Sequence, residues 1–176
     1  MLQWILSLMI FACPTAPRYD FMDIAKAIDV AAHEAPLYKS DDGVERTVVE
    51  LVAVGAWESA FKADAVASDW AGFSRGWAQV HDSNLPRLGI TLIDAVTPLP
   101  AAKAALKLMA ESHRICRHLP LEDQLSEYAS GRALCDTPEG LRDSKNRMGL
   151  AARLLRVKGP RWVEPAASSG TFKVIL

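Results

Sequence analysis

The run Thr47 to Trp57 constrains this chain more than any other stretch, because it is almost wholly apolar and closes on a carboxylate, Glu58. On a helix, Val48, Leu51, Val52 and Gly55 share one side, and Val49, Ala53 and Ala56 share another. A helix apolar on most of its faces has to be covered all round, so Val44 to Glu58 is expected to be the buried central helix of the domain. Gly55 lowers helix propensity there and is expected to let another backbone come close. A carboxyl group ending such a helix has little water around it, which favours its neutral form and raises its pKa. An acid that keeps its proton near neutral pH can give it to a leaving group. The plainer reading is a Glu that edges the core helix with its head in solvent.

Around this element the sequence reads as helices joined by short loops, a mainly α chain. Asp20 is placed to cap a helix carrying Phe21, Ile24, Ile28 and Ala31 at helical spacing, which should stop near Pro36. Ser40 to Gly43 is a turn. Thr97-Pro98 and Thr137-Pro138 each pair an N-cap residue with a proline at the first helical position. The first opens a helix with Ala102, Leu106, Met109, His113 and Cys116 on one side; the second opens a long helix marked by Leu141, Met148, Ala152 and Leu155. Between them a helix is expected from Pro120, burying Leu121, Leu125 and Tyr128. Residues 62–84, rich in small and polar side chains with Trp70, Phe73 and Trp77 interleaved, suggest a loop or at most a short hairpin lining a groove. The tail after Gly159 is irregular, with Phe172 to Leu176 as a candidate docking strand.

At 176 residues the chain fits one domain, organised as a hydrophobic N-terminal segment 1–19, a helical domain 20–158 and the tail 159–176. A net charge of −1 argues against a nucleic-acid binder that works by neutralising phosphates. The charge is uneven: residues 1–99 hold 7 basic and 13 acidic side chains, net −6, and residues 100–176 hold 13 and 8, net +5. The basic half suits approach to an anionic polymer such as a cell wall, and equally suits ordinary solvated surface. Met1 to Cys13 carry no charged side chain and are too few before Pro14 to span a bilayer as a helix. Two readings stand for them: an export segment whose Ile10-Phe11-Ala12-Cys13 loosely fits a lipoprotein cleavage site, or a segment packing on the domain or a partner. Cys116 and Cys135 either form a bridge, leaving Cys13 odd, or are buried thiols. His113, Cys116, His118 and Cys135 match no standard zinc spacing, so no metal site is expected.

Three short motifs follow in order: Glu58-Ser59 with Phe61, then Gly76-Trp77-Ala78-Gln79, then Tyr128-Ala129-Ser130-Gly131. Together, across about residues 44–156, they resemble the lytic transglycosylase domain of the SLT type, in the lysozyme-like superfamily that includes goose-type lysozymes. The second motif keeps the family's Gly and Gln while both middle residues differ; the third keeps Tyr and Gly and has Ala129 in place of the family's Asn. The resemblance implies a lysozyme-like helical fold that cleaves the glycan strands of peptidoglycan with Glu58 alone as acid and then base. Glu58 would protonate the oxygen joining N-acetylmuramic acid to N-acetylglucosamine, and would then take a proton from the muramoyl 6-hydroxyl as it closes a 1,6-anhydro ring. The substrate's acetamido group would assist, an exception to the two-carboxylate rule. No metal or organic cofactor is needed.

On this reading Trp57 and Phe61 would wall Glu58, and Tyr128 would hydrogen-bond its carboxyl group or the acetamido group. Ser59, Ser74, Trp77 and Gln79 would contact the saccharide, and Trp70 and Phe73 would offer faces to sugar rings. Asp64 and Asp69 are the candidates for a second carboxylate, as in a true hydrolase. The same site could deliver water and act as a muramidase, or the chain could be an inert glycan-binding component of a phage particle or secretion apparatus. The partner implied is peptidoglycan, in a phage virion or the bacterial periplasm and cell envelope. A membrane or virion association would run through residues 1–19.

Overall fold

A computed structural model describes residues 1–69, 72–130 and 134–157. It is mainly helical, with eight α-helices and one small sheet among these residues. The central helix forms as expected: α3 spans Gly43–Ser59, and every residue from Thr47 to Gly55 is buried. Four other helices pack around it: α1 (Leu2–Ala12), α2 (Phe21–Glu34), α6 (Pro98–Ile115) and α8 (Pro138–Leu154). The short helices α4 (Leu85–Leu88), α5 (Leu92–Val96) and α7 (Ser126–Ser130) connect them.

Helix α1 belongs to the same core as the rest of the domain. Ile5, Leu8 and Met9 are fully buried, Trp4 nearly so, and the Trp4 indole donates to the Val157 carbonyl at 3.1 Å. Among the described residues no helix is long and apolar enough to cross a membrane.

Several local expectations are corrected. The short hairpin allowed for residues 62–84 is extended by a third strand: β1 (Val66–Asp69), β2 (Gly72–Arg75) and β3 (Val80–His81) form a three-stranded antiparallel sheet in that order. Val66 pairs with Arg75 and Ser68 with Phe73, and β2 turns its other edge to β3 through Ser74 and His81. Val66 and Phe73 stay exposed, so β1 and β2 do not show the alternation of buried and exposed apolar residues that makes strands legible in sequence. Asp20 precedes α2 but does not cap it; its carboxylate accepts the Ala63 N–H at 3.2 Å instead. Thr97 likewise donates back to the Ile93 carbonyl, whereas Thr137 does cap α8 by accepting the Gly140 N–H. Pro120 opens a single 3-10 turn, Leu121–Asp123, with α7 separate from it. On α8 the buried stripe is Gly140, Ser144, Arg147, Met148, Ala151 and Leu154, while Ala152 and Leu155 face outward. Trp70, Gly131 and the tail after Gly159 lie outside the described residues.

Candidate active site at the end of the central helix

The chain turns sharply directly after Glu58. Ala60 and Phe61 both adopt left-handed backbone angles, φ 52° and 64°, and both N–H groups return to the Gly55 carbonyl. A side chain in that region costs about 1–2 kcal/mol per residue, so surrounding contacts have to hold it there. They do so at Gly55, where an added Cβ would sit 2.7 Å from both the Phe61 and Trp77 rings. Gly55 thus makes room for two aromatic rings, which corrects the expectation that it admits a backbone.

The three motifs meet at this turn through backbone carbonyls. Ser59 Oγ donates to the Trp77 carbonyl at 2.8 Å, and Tyr128 Oη donates to the adjacent Ala78 carbonyl at 2.9 Å. Gly76, at φ 75°, lies so close to α5 that a Cβ would fall 2.0 Å from the Ala95 carbonyl oxygen, so only glycine fits. The Gln79 amide nitrogen donates to the Gly76 and Ala65 carbonyls at 2.8 and 3.3 Å, and Gln79 itself is left-handed at φ 49°. Tyr128 is set in turn by Ser112 of α6, whose Oγ accepts the Tyr128 N–H at 3.0 Å and donates to the Gln124 carbonyl. The Cys116–Cys135 disulfide closes the segment that carries Gln124 and Tyr128. With both sulfurs in that bond, the loose His and Cys cluster has no thiolates to offer a metal.

Glu58 itself meets a residue that the motifs do not contain. Arg147, from the buried stripe of α8, places Nη2 2.5 Å from Glu58 Oε1. The Arg147 side chain is 4% exposed and the Glu58 side chain 18%, so the pair is largely withdrawn from water. Burial pushes the Glu58 pKa up; the charge and hydrogen bond of Arg147 pull it down, Asp143 adds a smaller push upward, and the net direction is up. Tyr128 lies against the same pair, with the Arg147 guanidinium 6.0 Å from its ring centre. Burial and the Glu58 charge raise the Tyr128 phenol above its ordinary pKa, so it stays a neutral donor.

The expected contacts divide on this geometry. Glu58, Ser59, Gln79 and Tyr128 are brought together, but Ser59 and the Gln79 amide nitrogen are spent on backbone carbonyls, and Tyr128 donates to Ala78 and not to Glu58. Trp77 is fully buried and donates its indole N–H to the Pro98 carbonyl, so it presents no face to a sugar. Trp57 is 47% exposed, so it is an incomplete wall. Phe61 is buried edge-on against Phe21. Phe73 is exposed on β2 next to half-buried Ser74, with Arg75 over its ring at 5.3 Å, and Asp64 is exposed in the turn before β1.

A second acid sits two turns earlier on α3. Glu50, 3% exposed, accepts from the Tyr38 hydroxyl on Oε1 and lies 3.1 Å from His113 Nε2 on Oε2. His113 Nδ1 reaches Gln124 Oε1 at 3.1 Å, and Arg46 lies over the Tyr38 ring at 4.1 Å. Burial alone would depress the His113 pKa; the Glu50 hydrogen bond and charge, with Gln124, outweigh it and leave it above its ordinary value. The motifs pointed past Glu50 and Arg147, yet both carried a signal. Each is a charged residue at a buried helical position, and such a residue needs a partner.

Comparison of the chain with family models, curated proteins and solved structures finds no match.

Proposed function

We propose that this protein is a peptidoglycan lytic transglycosylase with a lysozyme-like helical domain, and that Glu58 is its acid and base. The observation that supports this best is convergence: Ser59 beside Glu58, the Gly76–Gln79 turn and Tyr128, far apart in sequence, are tied to one another through the carbonyls of residues 77 and 78. These are the positions that carry the resemblance to SLT-type domains, and the acid among them is the one whose pKa burial raises.

In the proposed reaction Glu58 gives its proton to the glycosidic oxygen as the bond from that oxygen to the muramoyl anomeric carbon breaks. The muramoyl 6-hydroxyl oxygen then bonds to that carbon and returns its proton to Glu58. The balance closes without water and leaves a 1,6-anhydro end. The disulfide between Cys116 and Cys135 suits an oxidising location such as a periplasm or a virion outside the cell.

Mass spectrometry of digested peptidoglycan tests the reading. Anhydro ends are the expected product. Reducing ends would assign the same site to a muramidase, and an inert wild-type protein that still binds glycan would assign it to a structural component.

A further inference from the structure

Arg147 is an unusual companion for a general acid. Its side chain is buried, and it makes one close contact, Nη2 to Glu58 Oε1 at 2.5 Å. Nε and Nη1 are buried as well, and neither finds a hydrogen-bond partner among the described residues. A guanidinium has five donors in a rigid fork and does not lose its proton, so it cannot escape this position by neutralising. It is therefore held in the interior chiefly by the Glu58 carboxyl group.

Neither α1 nor the turn at residues 76–79 carries a charged side chain. Tyr128 of α7 is an uncharged donor already committed to the Ala78 carbonyl. On α8, Asp143 stands one turn before Arg147 and is the other charge that acts on Glu58.

We propose that Arg147 is a positioning residue that balances the charge of Glu58 through the reaction cycle: it receives the carboxylate left when the proton departs, and by holding Oε1 it leaves the other oxygen to take the returning proton. The proposal rests on the acid–base role given to Glu58 above. Without such a partner, proton donation would create an isolated carboxylate in a poorly hydrated place, the least favourable product an acid can leave. With Arg147 in contact, the ionised form gains a charge-assisted hydrogen bond as it forms.

The test follows the Glu58 carboxyl carbon and the Arg147 side-chain nitrogens of the full chain by NMR across pH. In the wild type both sets of signals should move through one shared inflection. In Arg147→Met the Glu58 inflection should rise by about one to three pH units, the range an adjacent opposite charge accounts for. Arg147→Lys, which keeps the charge, should fall between the two. On peptidoglycan the alkaline limb of the rate profile should move upward in step, because the first chemical step needs protonated Glu58.

Arg147 signals that pass unchanged through the Glu58 titration would overturn the proposal. So would a folded Arg147→Met protein that titrates like the wild type. If Arg147→Met does not fold, the shared inflection in the wild type decides. If the wild type does not cleave peptidoglycan, the enzymatic reading fails by itself and the titrations still judge the charge pairing.

Discussion

Two acids on one helix, Glu50 and Glu58, have opposite settings. Glu50 lies in a closed network: one oxygen meets the Tyr38 hydroxyl, the other meets His113, and His113 is held in turn by Gln124. Glu58 has Arg147 on one oxygen and no described partner on the other, and its side chain is 18% exposed. A carboxylate with both oxygens engaged gains order and gives up chemistry, because any proton it moved would break the network around it. A carboxyl group held on one side only keeps an oxygen for a substrate. On the proposed function, burial alone does not separate the reactive acid on α3 from Glu50; incomplete partnering does.

The largest effect expected from this contrast is on stability. Glu50→Ala strands His113 and the Tyr38 hydroxyl inside the protein and should cost about 3–5 kcal/mol in urea unfolding. Glu58→Gln keeps an amide oxygen for Arg147 and should cost less, about 1–3 kcal/mol. Equal losses would erase the distinction between the two sites. Next, replacing Cys116 and Cys135 by serine opens a loop with a sequence separation of 19, which should lower stability by about 3 kcal/mol. Because that loop carries both Gln124 and Tyr128, hydrogen exchange should show the two acid sites loosening together.

Gly55→Ala sharpens the contrast from the Glu58 side. The new methyl group meets the Phe61 and Trp77 rings and should cost about 1–3 kcal/mol, with the turn at Glu58 disturbed and the Tyr38–Glu50 contact intact by NMR. The smallest effect concerns pH. His113 has a folded pKa raised above 6.5, so the stability it contributes is complete below that pH and is lost as pH rises through the raised value. Thermal melts from pH 6 to 9 should fall along this slope, by up to about 1.4 kcal/mol for each unit the pKa is raised, and His113→Gln should flatten it.

The helical frame was legible because its signals are local. The apolar run Thr47 to Trp57 specified a buried helix without knowledge of its neighbours, and Thr137-Pro138 marked the start of α8 to the residue. The sheet was legible only as far as a short hairpin within residues 62–84, since its short strands pair through the backbone and leave Val66 and Phe73 exposed. At the candidate site, motif order led to Glu58, the Gly76–Gln79 turn and Tyr128, while the hydrogen bonds of Ser59, Gln79 and Tyr128 to backbone carbonyls were not legible in it. Trp77 reads as an aromatic platform in sequence and is a core residue in the fold because Gly55 opens a space for it. Arg147 is 89 residues from Glu58, and only the packing of α3 against α8 joins them.

On the proposed function, Glu58 moves the proton in glycan cleavage. This role is tested most directly by comparing the rate of anhydro-end formation from purified peptidoglycan for wild type and Glu58→Gln, with both proteins shown to be folded and to bind the glycan. The expected result is a loss of about a hundredfold to ten-thousandfold in the variant with binding retained. A Glu58→Gln protein that forms anhydro ends at the wild-type rate would contradict the account.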